Sequence, residues 1–160
     1  MSAEELASPK KKRKGTKDER LKRSQILLDV TRRCASLANI QDVWKELVGM
    51  TSHELDCDRG TLFLNDKETN ELFSFVAQGN LTREIRILND SGIAGDVFQT
   101  GQSKISDDPY NDPMFNREVD QRTGYTTRNI ACVPVRTMAG EKIGVMQTLN
   151  KRVGEFNEDD

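Results

Sequence analysis

Apolar residues recur at helical spacing in two stretches near the start of the chain. Because the apolar positions of the first stretch are three or four apart, they lie on one side of a predicted helix. They are Leu27, Val30, Cys34 and Leu37. A second helix is predicted after Asn39, which can cap it because Asp42 follows three residues later. The apolar face of this second helix is formed by Val43, Trp44, Leu47, Val48 and Leu55.

Alternation of apolar and polar residues then predicts strands. Residues 61–64 and 72–76 flank a polar turn at 65–70, which is typical of a hairpin. Residues 85–87 alternate in the same way and predict a third strand. Helical spacing returns at 92–101, where glycines suit the turns at both ends. Further strands are predicted at 104–105, 130–135 and 142–149.

The segment 106–128 is rich in Asp, Asn, Pro and Gly, with one short helix predicted near 115–121. A connection of this length inside a compact domain is usually functional, so we predict a binding loop. Together the elements predict an α+β fold. It consists of an antiparallel sheet with helices packed on one face and ligand-binding loops on the other.

Composition separates the chain into a basic tail and an acidic domain. Residues 1–19 hold few apolar side chains and are predicted to be a disordered basic tail, which leaves 20–160 as one domain. The first 23 residues carry nine Lys or Arg and four Asp or Glu, so the rest carries fifteen basic and 22 acidic side chains. This acidic balance argues against a nucleic-acid interface on the folded part.

The basic run Lys10–Lys14 follows Pro9 and resembles a nuclear-import signal, which would add an import receptor as a partner and a nuclear location. A solvated basic linker and an added tag explain the same run. The chain shows no secretory signal and no apolar run of about 20 residues, so we expect a cytoplasmic protein without a membrane span. Its three cysteines are widely spaced and odd in number, which favours neither a zinc site nor a disulfide framework.

Catalytic chemistry has little support in the sequence. The only histidine, His53, lies within the second predicted helix, and no serine or cysteine has a base partner nearby. The acidic pairs Asp107-Asp108 and Asp159-Asp160 are typical of loop caps and solvated surfaces. We therefore expect no enzyme activity, no catalytic residue and no metal site in this chain.

A set of short motifs points to ligand binding. They are Gly92-Ile93-Ala94-Gly95; Asp120, Thr123-Gly124 and Thr127-Arg128-Asn129; Gly144-Val145-Met146-Gln147; and Asn150-Lys151 with Phe156 and Asp160. In this order and spacing, the set resembles a GAF domain of the cyclic-nucleotide-binding kind, as found in cyanobacterial adenylyl cyclases and mammalian phosphodiesterases. The resemblance extends over residues 27–160.

The resemblance implies a bound cyclic nucleotide, with cAMP favoured over cGMP, and no other cofactor. The phosphate would meet backbone N–H groups at a helix start, in contact with Ile93 and Ala94. Three loop residues would close over the ligand, and Asn116 stands where relatives often carry an aromatic residue. The closing residues are Asp120, Thr123 and Thr127. The residues expected near the base are Arg59, Thr61, Ala77, Gln78 and Gln147, of which the first two match adenine-binding positions of the cyclases.

The resemblance also has implications beyond the ligand. The tail residues Asn150, Lys151, Phe156 and Asp160 match a family motif in which a Lys-to-Asp ion pair has a structural role. The domain would be truncated before its C-terminal helix and would form a homodimer through its flanking helices. It would regulate a cyclase or phosphodiesterase output domain that is absent from this chain.

Two alternative functions keep the same fold. One is a dimerisation or scaffold module that binds no nucleotide. The other is a chromophore-binding GAF domain, in which a cysteine forms a thioether. Cys132 is followed by Val133 rather than by a histidine and lies in a predicted strand, where a buried thiol is the ordinary finding.

Overall fold

The structure is a computed structural model that describes residues 16–79 and 83–160. The helices are α1 Lys17–Ala35, α2 Ile40–Glu54, α3 Gly92–Thr100 and α4 Arg117–Thr123, with a 3₁₀ turn at Pro109–Asn111. The strands are β1 Cys57–Asp66, β2 Glu71–Ala77, β3 Arg86–Leu88, β4 Lys104–Ser106, β5 Ile130–Arg136 and β6 Lys142–Lys151. Each predicted helix and strand is therefore present, although most are longer than the sequence pattern indicates.

The described chain divides into two compact units between Ser36 and Leu37. The first contains α1, which begins at Lys17, inside the tail that was expected to be disordered up to residue 19. The cause is a capping box: the Glu19 amide donates to the Thr16 side chain, and the Glu19 carboxylate accepts from the Thr16 amide. No residue of α1 is buried. The basic run Lys10–Lys14 lies outside the described residues.

The second unit contains a six-stranded sheet in the order β3-β2-β1-β6-β5-β4. Every neighbouring pair is antiparallel. The two ten-residue strands, β1 and β6, form its centre and pair from Cys57↔Lys151 to Leu64↔Gly144. The predicted α+β architecture is confirmed.

The two faces of the sheet carry different helices. On one face, α2 lies so close to β1 that a Cβ atom added to Gly60 would be 2.6 Å from the Ser52 hydroxyl and 2.9 Å from Val48. Side chains alternate between faces along a strand, so Phe63 points to the opposite side. There it packs with Val145 and α3 in the main hydrophobic core. α3 thus shares the loop face of the sheet, opposite α2.

The N-terminus of α2 follows the sequence prediction, but its buried face does not. The Asp42 amide donates a 2.9 Å hydrogen bond to the Asn39 side chain, which confirms the predicted cap. Of the five apolar residues expected to be buried, only Val48 is, and the other four are half-buried. The two residues of this helix that are fully buried, Val48 and Ser52, are the ones that lie against the sheet at Gly60.

Candidate functional site

A cavity of about 70 Å³ lies between the start of α3, the end of the sheet and the long connection from β4 to β5. We call this connection, residues 107–129, the lid. The sheet contributes Ile130, Gln147 and Leu149 to the cavity wall, and α3 contributes the first turn. The lid covers the cavity with Phe115, Asn116, Val119, Asp120 and Thr127.

The first turn of α3 presents backbone rather than side-chain chemistry to the cavity. Gly92, Ile93 and Ala94 line it, and the preceding Ser91 makes no side-chain hydrogen bond to this turn. Backbone N–H groups at a helix start carry partial positive charge and suit an anion. The turn is fixed in place because Ile93 and Ala94 are each only 2% exposed and belong to the main core.

The carboxylate of Asp120 is hydrogen-bonded to other residues of the lid. It accepts a 2.7 Å hydrogen bond from the Thr127 amide, a 2.8 Å bond from the Thr127 hydroxyl and a 2.9 Å bond from the Tyr110 hydroxyl. Asp120 is 6% exposed and Thr127 2% exposed. The bond to Asp120 also raises the pKa of Tyr110 above its ordinary value. One carboxylate therefore joins α4 to the parts of the lid on either side.

Asn150, at the end of β6, fixes the last part of the lid to the sheet. Its amide nitrogen donates to the Thr126 carbonyl and the Tyr125 hydroxyl, and its oxygen accepts from the Arg128 amide at 2.6 Å. Asn150 has a φ of 56°, a left-handed conformation that asparagine tolerates better than most residues. The residues on both sides of Thr127 are thus bonded to the central strand.

The remaining tail residues lie beside this anchor rather than in the cavity. The Lys151 ammonium is 2.7 Å from one Asp160 oxygen and 5.7 Å from the centre of the Phe156 ring. Phe156 is 4% exposed. Asp160 also accepts a bond from the Asn157 amide, so the ion pair closes the turn that follows β6.

Six of the eleven residues predicted to contact a ligand line the cavity. They are Ile93, Ala94, Asn116, Asp120, Thr127 and Gln147. Asn116 caps α4 through a bond from the Glu118 amide, and its amide group lies 3.5 Å from the Ser91 hydroxyl. The lid and the start of α3 therefore meet at their two helix caps.

The other five predicted residues are not in the cavity wall. Thr61 is on β1, where it pairs with Gln147 of β6 on one side and with Ala77 of β2 on the other. Thr61 and Ala77 therefore lie farther across the sheet than Gln147. The Thr123 hydroxyl is bonded to the Val119 carbonyl within α4. The Arg59 guanidinium stacks on the Tyr125 ring, 3.9 Å from its centre.

Gln78 is held on the α2 side of the sheet. Its side-chain oxygen accepts a 2.6 Å bond from the Ser52 hydroxyl and a 2.7 Å bond from the Gly60 amide. In this position it ties α2 to β1 and has no free acceptor directed at a ligand. The sequence pattern could not show this, because it depends on contact between segments far apart in the chain.

Several lining residues were absent from the predicted site. They are Ile87, Gly92, Phe115, Val119, Ile130 and Leu149. Leu149 could have been found, because it is two positions from Gln147 on the same strand and so shares its face. Phe115 supplies the aromatic surface that the resemblance places at residue 116; its ring centre is 5.2 Å from that of Tyr110.

The cavity wall is almost uncharged. Within the described part of the chain, its lining includes no Lys, Arg or His, and Asp120 is its only carboxylate.

Among residues 16–79 and 83–160 no group of three metal-ligating side chains occurs. No helix in these ranges is both long and apolar enough to cross a membrane. His53 is exposed on α2, away from the cavity wall.

Cys132 lies in the main hydrophobic core and is fully buried. Burial raises the pKa of this thiol far above its ordinary value. A thiol in such surroundings is a poor nucleophile, because the thiolate is the reactive form. The geometry therefore does not favour Cys132 as an attachment point for a chromophore.

Comparison with known proteins gives the chain a family. The family model for the GAF domain matches residues 39–160. The chain is 32% identical over 152 residues to the probable 3′,5′-cyclic phosphodiesterase pde-5 of Caenorhabditis elegans, covering 87% of this chain and 21% of that protein. It is 30% identical over 157 residues to the dual 3′,5′-cyclic-AMP and -GMP phosphodiesterase 11 of Drosophila melanogaster, covering 88% of this chain and 11% of that protein.

Solved structures show the same fold at lower identity. The GAF domain of a phosphoenolpyruvate-protein phosphotransferase (ptsP) from Coxiella burnetii superposes with a TM-score of 0.76 and 19% identity, covering 85% of this chain and 82% of that one. Free methionine-R-sulfoxide reductase from Neisseria meningitidis gives a TM-score of 0.73 and 19% identity, with 91% and 83% covered. The GAF family model matches residues 39–160, which are most of this chain. The chain therefore belongs to the GAF domain family.

Proposed function

We propose that this GAF domain is a regulatory sensor that binds a cyclic nucleotide, preferentially cAMP, in the cavity under the lid. Binding would control a phosphodiesterase or cyclase output domain elsewhere in a longer protein. The relatives named above support the ligand class, since one is described as a probable 3′,5′-cyclic phosphodiesterase and the other as a dual 3′,5′-cyclic-AMP and -GMP phosphodiesterase. The observation that carries the proposal is the cavity wall, which combines a helix start, an apolar surface and a single amide on the sheet.

Each part of the wall suits one part of a cyclic nucleotide. The phosphodiester carries one negative charge, which the N–H groups of Ile93 and Ala94 at the start of α3 can bind. The flat base suits the apolar surface that includes Phe115 and Leu149. A site of this composition binds mainly by burial and orients its ligand through few polar groups.

Gln147 is the residue we assign to the base edge. Within the described residues its side chain makes no hydrogen bond, so its amide is available to a ligand. An amide offers one donor and one acceptor side by side, the pattern that pairs with the edge of adenine. This role takes the place of the one expected for Gln78, whose oxygen is already bonded to Ser52 and Gly60.

The test is titration calorimetry of the folded chain with cAMP, cGMP and 5′-AMP. We expect cAMP to bind most tightly. 5′-AMP should bind more weakly than cAMP because its second negative charge meets no cationic side chain and lies near Asp120. The absence of heat with either cyclic nucleotide, from protein shown to be folded, would contradict the proposed function and favour the dimerisation module.

The Gln147→Ala variant tests the base assignment. Losing both the donor and the acceptor of this amide, a pair worth about 1–3 kcal/mol, should weaken cAMP binding by roughly 5- to 150-fold. The matched control is Gln102→Ala, an exposed glutamine between α3 and β4. Equal affinities in the two variants would remove Gln147 from the proposed site.

The proposed homodimer would form through α1. This helix leaves Leu21, Leu27 and Leu28 between 49% and 67% exposed. Burying such residues against a second copy would be favourable. Light scattering of the chain should report a dimer, and a monomer at all concentrations would exclude this part of the proposal.

A further inference from the structure

The cavity is small for the ligand class proposed above. Its volume is about 70 Å³, whereas sites for ligands of nucleotide size measure about 300–1,000 Å³. A cyclic nucleotide can therefore enter only if one wall moves. α3 belongs to the main core and β6 is the centre of the sheet, so the wall able to move is the part of the lid that contains α4.

Few side chains tie α4 to its surroundings. Among the described residues, its side-chain hydrogen bonds to groups outside the helix are one from Arg117 to the Tyr110 carbonyl and those made by Asp120. Of Arg117 and Asp120, only Asp120 is buried. Its three hydrogen-bond partners are the Tyr110 hydroxyl, the Thr127 amide and the Thr127 hydroxyl.

The partners of Asp120 differ in what holds them. Thr127 lies between residues that Asn150 binds, so it is fixed to the central strand. α4 has no comparable attachment to the sheet among the described residues. Outward movement of α4 must therefore break the bonds between Asp120 and Thr127. Losing hydrogen bonds to a buried carboxyl group is costly, because its oxygens are then left without partners away from water.

We infer that Asp120 is a latch that holds the lid closed on the small cavity and limits ligand entry, rather than a residue that bonds the ligand. It is a positioning residue, because it acts through α4. The latch and the ligand compete: the bonds made by Asp120 in the closed lid oppose the opening that a nucleotide requires. Weakening the latch should then accelerate ligand association, and weakening a ligand contact should not.

The first test measures the latch without any ligand. Hydrogen exchange at the Thr127 amide reports directly on its bond to Asp120. In Asp120→Asn this exchange should be faster by about tenfold or more. Tyr110→Phe, which removes one hydroxyl from a half-buried ring, should accelerate it less. The matched control is Thr126→Val, at an exposed neighbour whose side chain is not part of the latch.

The second test depends on the proposed function. Stopped-flow association of cAMP should be faster in Asp120→Asn and Tyr110→Phe than in the wild type and in Thr126→Val. Slower association or weaker binding, with Thr127 exchange unchanged, would overturn the latch and make Asp120 a ligand contact. If the wild type binds no cyclic nucleotide, the exchange result alone decides whether the latch exists. If Asp120→Asn does not fold, both the exchange and the association measurements are made on Tyr110→Phe, and their results decide the proposal.

Discussion

At the scale of single residues, burial decides which side chains are available for chemistry. Cys57 and Cys132 are 2% and 0% exposed, whereas Cys34 is half-buried on α1. Burial raises the pKa of the Cys57 thiol, as it does for Cys132. Both thiols in the sheet therefore stay protonated and shielded, whereas Cys34 lies on a helix that has no buried residue.

Thiol labelling tests this difference. We expect a maleimide to modify Cys34 quickly in the folded protein and to leave the other two cysteines unmodified until the sheet opens. Peptide mapping by mass spectrometry after a short reaction would locate the label. Rapid labelling of Cys132 in folded protein would contradict its place in the core and would revive the chromophore alternative.

At the scale of elements, the contact between α2 and β1 depends on a glycine. A side chain at Gly60 would meet Ser52 and Val48 at distances of 2.6 and 2.9 Å. Gly49, within α2, has open space by comparison: the nearest atom to an added Cβ lies 4.0 Å away, on Gln78. The same substitution at these two glycines should thus have opposite effects on stability.

Gly60→Ala should lower the free energy of unfolding by about 1–3 kcal/mol, because the added carbon overfills the contact. Gly49→Ala should raise it by up to about 1 kcal/mol, because alanine has the higher helix propensity. Urea denaturation of both variants would measure the two effects. A loss of stability in both would show that α2 lies differently on the sheet.

Element positions could be predicted from sequence because their signals are local. The Asn39 cap needs only Asp42 three residues later, and the hairpin needs only two alternating runs around a polar turn. The candidate site depended on contacts between distant segments. Gln78 is expected near a base because of the resemblance to the family, yet its oxygen is bonded to Ser52, 26 residues earlier. Likewise, nothing in the sequence indicates that the Asp120 carboxylate is satisfied by Tyr110 and Thr127.

At the scale of the whole molecule, ion pairs make the fold sensitive to acid. Burial of Asp112 opposes its ionisation, but hydrogen bonds from the Met114 amide and the Lys104 ammonium outweigh this and lower its pKa. The pair lies between the lid and β4, with the Asp112 side chain 14% exposed. A carboxyl whose pKa is lower in the folded state adds stability above its unfolded pKa and loses this contribution as pH falls.

We therefore expect the melting temperature to be steady between about pH 5 and 7 and to fall below about pH 4. Asp112→Asn should be less stable than the wild type at neutral pH, and the difference should shrink in acid. Glu155→Gln, at an exposed site, serves as the control. A difference between Asp112→Asn and the wild type that does not change with pH would show that the charge of Asp112 is not its cause.

The strand order has a consequence for how the chain is made. β1 lies beside β6, so one edge of β1 has no partner until residues 142–151 have been synthesised. At about 5–20 residues per second, the ribosome needs roughly 4–15 seconds to pass from the end of β1 to the start of β6. During that time the nascent chain carries an open strand edge rich in apolar residues. Such an edge can pair with another nascent chain, so we expect folding yield to depend on how closely ribosomes follow one another on the messenger RNA.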